Sequence, residues 1–503
     1  MKRFHFLFLT FFSIIGSMNM MAFEVNDISY EVLSENDKTA FVTRQSANLE
    51  GDIQIPSQVS YEGAVYTVTE IGGRAFADCH KITSASIPAT VQSIGARAFY
   101  ECAELTAVRL SDNITEIGDD AFTRCYKLKD INIPKNLQRL GEYAFVLCYS
   151  IEELTLPKTL TEIGDCAFYG CQGLRTLTVE AGNPKYLAED GVLFNHDKTT
   201  LIFFPALNNM SHYDVPATVN TIESAAFYGS KLKSITLPPM LTKIGAEAFV
   251  LMEQLESISI PSSVNTIGNG AIGACASLKE IYVSDGIQGI GEAAFSENPS
   301  LVKVHLPEEL TRIESLLFKG CTSLSEVNIP ENVNYIGSDA FRDCQSLIEI
   351  TIPDKVETVG WDAFRGCCEL EKITVGRSVT VLAGGAFYGC DNIREIRSYI
   401  EEPFNVVDYD EKYGDMLQAG RCFPEEVTQE AVLFVPQGTI EKYRSKQGWR
   451  DFVNIIETYE TSIEEISVHN ENPVMYYNLN GQRLDGGPTK GIYIQNGKKI
   501  VVK

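Results

Sequence analysis

Positive charge is scarce in this 503-residue chain: 42 Lys and Arg stand against 67 Asp and Glu, for a formal net charge of −25 at pH 7. Nucleic acid as a partner calls for a basic stripe that neutralises phosphates, so that class is excluded. Adsorption to anionic lipid is disfavoured for the same reason. Acidity of this size keeps a surface protein soluble. Long apolar runs are scarce too. The stretch from Phe4 to Ile15 is shorter than the roughly 18 residues of a spanning helix, and no later segment is longer, so no membrane insertion is expected. Histidine is limited to His5, His80, His196, His212, His305 and His469, none in an H-E-x-x-H arrangement or at motif spacing from Ser or Cys. There is no C-x-x-C pair with partner histidines. No glycine-rich phosphate loop occurs either. The chain is therefore expected to have no catalytic residue, no metal and no cofactor.

What is present is order. Apolar residues make up 44% and charged residues 22%, a balance of folded rather than disordered chains, and the length exceeds what a single compact core usually holds. Lys2 and Arg3 followed by the apolar stretch, then Gly16, Ser17, Asn19 and Ala22, read as a secretory signal over residues 1–22. The mature protein is expected to be exported, soluble and monomeric, secreted or held at the cell surface.

A phenylalanine, mostly in the dipeptide Ala-Phe, then recurs on a ruler. Phe76, Phe99, Phe122, Phe145 and Phe168 are 23 residues apart. After an interruption come Phe227, Phe249, Phe295, Phe318, Phe341, Phe364 and Phe387, with Ile272 in the missing slot and one step of 22 residues. A fixed period of this length with apolar residues in fixed columns predicts a leucine-rich-repeat solenoid of about 13 coils. In the unit from Leu324 to Cys344, Leu324, Val327 and Ile329 give an L-x-x-L-x-L strand with alternate residues turned inward. Pro330 ends it, Val333 and Ile336 form a second apolar segment, Gly337 permits a turn, and Ala340 and Phe341 dock a short helical turn, with Cys344 behind them.

Phe168 and Phe227 are 59 residues apart. Between them Asp190-Gly191 is a turn signal beside Val192, Leu193 and Phe194, and Leu201 to Phe204 is a second β-prone run, so an inserted β-hairpin is expected to protrude over about residues 180–214. Residues 23–60 read as an N-terminal cap, 61–400 as the solenoid and 401–460, with Phe423, Leu433 to Val435, Tyr443, Trp449 and Phe452, as a C-terminal cap. Asn480-Gly481 and Asn496-Gly497 predict hairpins in a small β unit over 461–503.

The columns I-G-x-x-A-F-x-x-C-x-x-L-x-x-I-x-I-P, seen in Ile94, Gly95, Phe99, Cys102, Leu105, Val108 and Leu110 with Ser111 in place of proline, resemble the BspA-like family of bacterial leucine-rich-repeat surface proteins. Ile55-Pro56 with Tyr66 to Val68, and Val435 to Gly438 with Tyr443, Trp449 and Phe452, are similar as well. The resemblance spans roughly residues 50–460 and implies a surface or secreted protein associated with adhesion to host matrix or other cells. The tail from Tyr477 to Gln482 and Gly491 to Ile494 is similar to C-terminal segments of exported proteins of Gram-negative anaerobes, some of which are sorting segments.

Ten of the thirteen cysteines share one column: Cys79, Cys102, Cys125, Cys148, Cys171, Cys275, Cys321, Cys344, Cys367 and Cys390. Stacked copies point their Cβ bonds in parallel, farther apart than the roughly 3.8 Å a bridge prefers, and the column neighbours of Cys275 are Met252 and Asn298. Buried, reduced thiols are therefore expected. Asp408, Asp410, Glu411 and Asp415 invite calcium, but Lys412 and Tyr413 stand where such a loop wants an oxygen ligand and glycine. On the exposed strand positions one column runs Ser234, Ser257, Glu280, Lys303, Glu326, Glu349, Lys372, Glu395 and the next Thr236, Ser259, Tyr282, His305, Asn328, Thr351, Thr374, Arg397. That polar face suits a protein ligand more than a glycan, which favours an aromatic platform. The expected function is binding of an extracellular protein or glycan, through the face at Tyr282, Lys303 and His305 or through the insertion at Asp190, Phe203 and Phe204. A structural spacer displaying the C-terminal unit, or an enzyme with its site in the insertion, are the alternatives.

Overall fold

A strand that alternates inward and outward residues, repeated every 23 positions, can satisfy its edge only by pairing with its own next copy. The computed structural model, which describes residues 22–406 and 422–458 and the strands at 476–477, 491–495 and 498–502, shows this pairing throughout. Glu349–Ile352 lies parallel to Lys372–Val375 with Ile350 opposite Ile373 and Ile352 opposite Val375, all four buried. Every side chain therefore meets the same column one coil on. A second ladder of two-residue parallel strands, such as Tyr335–Ile336 beside Thr358–Val359, forms another side of each coil. The chain divides into two units, one ending at Asn209 and one beginning at Met210. Among the described residues the turns number about 16, more than the 13 that the Phe ruler marks.

The remaining side carries the Phe column, and it is not helical. Residues two before and two after the ring have left-handed backbone: Asp339 and Asp343 around Phe341 have φ of 55° and 60°, and Arg97 and Glu101 around Phe99 have 59° and 60°. This alternation turns every second N–H toward the next coil. Asp339, Phe341 and Asp343 donate to the carbonyls of Trp361, Ala363 and Arg365 at 2.7–2.8 Å, while Arg342 and Cys344 close local turns onto Asp339 and Phe341. A left-handed non-glycine residue costs roughly 1–2 kcal/mol, and the inter-coil hydrogen bonds offset it. Helix among the described residues is confined to Glu425–Glu430, Ile440–Arg444 and a single 3₁₀ turn at Trp449–Asp451.

In the first unit the rings Phe76, Phe99, Phe122, Phe145 and Phe168 stack at 5.0–6.3 Å. The insertion does hold the expected turn: Tyr186–Glu189 and Val192–Asn195 pair antiparallel around Asp190-Gly191. A third strand, Thr200–Phe203, adds to it, and the Asn195 side chain closes that second turn by accepting the N–H groups of Thr199 and Thr200. Of the two outcomes open to the hairpin's apolar side, packing back on the coils or staying exposed as an anchor, it takes the first. Val192, Leu193, Phe194, Leu201, Phe203 and Phe204 are all buried, and Phe203 stands 5.4 Å from Phe168. Leaving that many apolar side chains in water would forfeit roughly 1.5–3 kcal/mol each, so the meander folds inward and its ring takes the next place in the stack.

In the second unit the rings Phe318, Phe341, Phe364 and Phe387 stack at 5.0–5.2 Å, and Phe423 continues the stack 5.3 Å beyond Phe387. The C-terminal cap is thus built as further coils. Val432–Pro436 pairs parallel with Glu395–Ser398, and Asn454–Thr458 pairs with Val432–Pro436. Tyr443, Trp449 and Phe452 are buried over the last ring, with the Tyr443 hydroxyl donating to the Ile400 carbonyl at 2.8 Å. Tyr476–Tyr477, Gly491–Gln495 and Lys498–Val502 form a small antiparallel sheet whose last two strands flank Asn496-Gly497. The expected signal segment before Ala22, the acidic cluster Asp408 to Asp415, and Asn480-Gly481 lie outside the described residues.

Candidate functional site

The sheet face left open by the coils carries the expected polar columns. Glu280–Val283 and Lys303–His305 are parallel neighbours in which Glu280 meets Lys303 and Tyr282 meets His305, while Ile281 and Val304 point inward. Tyr282 is 48% exposed. Its ring lies 5.3 Å from the imidazole of His305 at an angle of 50°. His305 Nε2 is 3.3 Å from a Glu280 carboxylate oxygen, and Lys303 Nζ is 3.1 Å from that of Glu326. Tyr282, Lys303 and His305 therefore form one contiguous patch: an aromatic ring flanked by a Lys–Glu ion pair and a His–Glu contact. Exposed pairs of this kind add little stability, which leaves them free to exchange partners.

The sequence columns ended at Arg397, but the face goes on. Phe434 and Ile456 occupy the next two slots, with the Arg397 guanidinium 4.7 Å from the Phe434 ring and Ile456 48% exposed. The 23-residue ruler misses them because the cap coils have other lengths; the alternation within Val432 to Pro436 was the available signal. In the insertion, Asp190 is exposed at its turn, its carbonyl accepting from Asn208 Nδ2 at 2.9 Å. Phe203 and Phe204 are not on the surface, and of the run Leu201 to Phe204 only Ile202 is partly exposed.

The cysteine column has a structural task that spacing alone did not reveal. Apart from Cys79, which donates to the Ser46 carbonyl, each column thiol donates to the carbonyl of the Phe-column residue one coil back: Cys344 to Phe318 at 3.3 Å, Cys367 to Phe341 at 3.2 Å, Cys390 to Phe364 at 3.0 Å. Where the column changes to Asn298, its amide nitrogen makes the same bond to the Ile272 carbonyl at 2.8 Å. All thirteen thiols are unbridged, and Cys368, beside buried Cys367, is the exposed one. Burial pushes Cys171, Cys275 and Cys321 up to about 12, raises Cys125, and pushes Cys148 and Cys344 well above the ordinary range.

These shifts have a measurable consequence. The folded chain keeps thiol protons that the unfolded chain loses above about pH 9, so stability is complete below that pH and falls as pH rises through the window. Each such thiol contributes up to about 1.4 kcal/mol per pH unit. The urea midpoint is expected to drop steeply as pH rises from about 9 towards about 12. At neutral pH iodoacetamide should label few thiols before denaturation and nearly all of them after it, without reductant. A flat midpoint, or bridges between successive coils by mass spectrometry, would contradict the buried thiol ladder.

Among the described residues no group of three His, Cys, Asp or Glu is placed to hold a metal ion, and no helix is long and apolar enough to cross a membrane. A family profile described as the BspA type leucine rich repeat region matches residues 68–189, 202–325 and 313–405 in six copies. No curated protein matches the chain. A solved leucine-rich repeat protein from Bacteroides ovatus is 30% identical, covering 75% of this chain and 94% of its own, with a TM-score of 0.49. One from Eubacterium ventriosum is 24% identical, covering 79% and 97%, with a TM-score of 0.53. A leucine rich cell surface protein from Faecalibacterium prausnitzii is 24% identical, covering 75% and 94%, with a TM-score of 0.42.

Proposed function

The chain belongs to the BspA-type leucine-rich-repeat family, and from that premise we propose that it is an exported surface or secreted protein that binds an extracellular protein through the open sheet face of its second unit. The observation that carries this reading is the patch itself. Tyr282 presents nearly half its surface on an uncovered sheet, packed on His305 and set between exposed charges of both signs. Tyrosine in such a setting supplies contact area at low entropic cost and is enriched at binding interfaces. The charged rim gives orientation rather than affinity. Export rests on the charged and apolar start of the sequence, Lys2 to Ile15.

Binding of the full chain to immobilised collagen and laminin tests this. The triple variant Tyr282→Ser, Lys303→Ser and His305→Ser should lose at least about tenfold in affinity, the loss of one aromatic anchor and its rim. Equal binding by the variant refutes the placement. The small C-terminal sheet that follows the last coil supports a second reading, in which the coils are a spacer. In that case truncation after residue 458, and not the triple variant, should abolish binding.

A further inference from the structure

On the turn side of the second unit a groove of about 650 Å³ runs across four coils, from Ala274 to Asp343. One wall is the column two residues beyond the Phe position: Ala274, Glu297, Gly320 and Asp343. The other wall includes Ala276 and Pro299. Between the two walls the chain is buried, at Cys275, Asn298 and Cys321. The coil before the groove carries Leu251 in the first column. Alanine at 274 and glycine at 320 draw that wall back, which opens the groove.

The same column in other coils shows what normally fills this space. In the first unit Asp78 is paired with Arg44 at 3.1 Å and Glu101 with Arg124 at 2.5 Å. Arg124 occupies the position of Glu101 one coil on, so the guanidinium is supplied by the next turn of the stack. In the second unit Asp343 has Arg342 at 3.6 Å. Glu297 differs: among the described residues no Lys or Arg pairs with it, Lys319 included. The position that corresponds to Arg124 is Gly320. The Glu297 carboxylate lies over that glycine, where an added Cβ would stand 2.6 Å from Oε2 and 3.2 Å from Oε1. Glu101 thus faces a guanidinium, whereas Glu297 faces the groove.

We propose that this groove takes an arginine side chain from an extended segment of a partner protein. Its guanidinium pairs with Glu297 over Gly320, as Arg124 pairs with Glu101. Its aliphatic stem lies along Ala274, Ala276 and Pro299, where covering methylene groups is favourable. Arginine is selected over lysine because a planar fork engages both carboxylate oxygens and sheds its water more readily than an ammonium. The length of the groove selects a peptide segment over a free amino acid. Three coil spacings of about 4.8 Å span roughly 14 Å, the reach of about four extended residues. An acidic segment would meet Glu297 and Asp343 with like charge. The net charge of −25 draws cationic segments toward every face, and the groove adds a place shaped for the fork.

Fluorescence polarisation of the full chain with fluorescein-labelled Ala-Gly-Arg-Gly-Ala amide tests this. The same peptide carrying lysine, or citrulline as the neutral isostere of arginine, is the comparison. The arginine peptide should bind at least about tenfold tighter than either. Glu297→Gln should lose at least about tenfold, and the fold should be unaffected because this exposed carboxylate has no cation to release. Gly320→Arg should lose as much, since it supplies the guanidinium from within the chain. Its left-handed backbone, φ 74°, is one that Arg124, Glu297 and Asp343 adopt at the same position. The nearest atoms in its way belong to the Glu297 carboxylate, the far end of a flexible side chain, so the melting temperature should not fall. The sheet-face triple variant should bind the peptide like the unsubstituted chain, so this site and the protein-binding reading fail separately. No binding of the arginine peptide, equal binding of the lysine or citrulline peptide, or undiminished binding by Glu297→Gln or Gly320→Arg would overturn the proposal.

Discussion

Replacing Gly337 by alanine should destabilise the second unit by about 3–5 kcal/mol, at the upper end of what a single substitution does. A Cβ at this position would stand 2.4 Å from the backbone nitrogen of Ser315 and 2.7 Å from both the carbonyl carbon of Glu314 and the Cα of Ser315. All three are backbone atoms of the preceding coil, so no rotamer change relieves the contact; the coils must separate. Gly118, Gly245 and Gly268 face the same obstruction at 2.4–2.6 Å, which gives the I-G column its meaning: glycine is there for close approach. Gly289 is the control, because nothing lies within 4 Å of its added Cβ. Gly289→Ala should be neutral or stabilising by about 0.4–1 kcal/mol through the unfolded chain. Urea titration measures both. Since each coil contacts only its neighbours, hydrogen exchange should show the Gly337→Ala loss concentrated in the adjoining coils. A loss under about 1 kcal/mol would mean that the coil spacing is wrong.

Truncating the ring at the middle of the stack is the second large effect. Phe341 is fully buried between Phe318 at 5.2 Å and Phe364 at 5.0 Å, the latter pair within 3° of parallel. Phe341→Ala should cost roughly 3–5 kcal/mol, the range for buried Phe truncations. The hydrogen bonds of this turn are backbone to backbone and remain, so the loss reports the ring. Phe341→Ile should cost about 1–2 kcal/mol, because Ile272 already fills this column position with no exposure. An alanine variant within about 1 kcal/mol of the parent in urea would place the ring outside the core.

Particular residues show what could and could not be read in advance. Ile350 and Ile352 were legible as inward and Tyr282 as outward because strand alternation is local and strict. Asp190-Gly191 was legible as a turn because its chemistry is local too. The direction in which the meander folds was not, because it depends on Phe203 finding a free place beside Phe168. The Phe turn is not the helical turn that its sequence predicts. Ala-Phe is compatible with helix propensity, and the left-handed residues at either side are fixed by hydrogen bonds to another coil, which no window of sequence contains.

The sequence alone determined the repeat, its period, the buried columns, the strand face and the absence of metal and nucleotide motifs, since each of these follows from spacing within one chain segment. Tertiary structure decided what those columns do to one another. It assigned the thiols to carbonyls 26 positions back, extended the ring stack into the insertion and the cap through Phe203 and Phe423, and set Tyr282 on His305. The physical reason is that a solenoid's contacts run between copies: a residue's environment is its own position one coil away, and only the folded stack brings the two within reach.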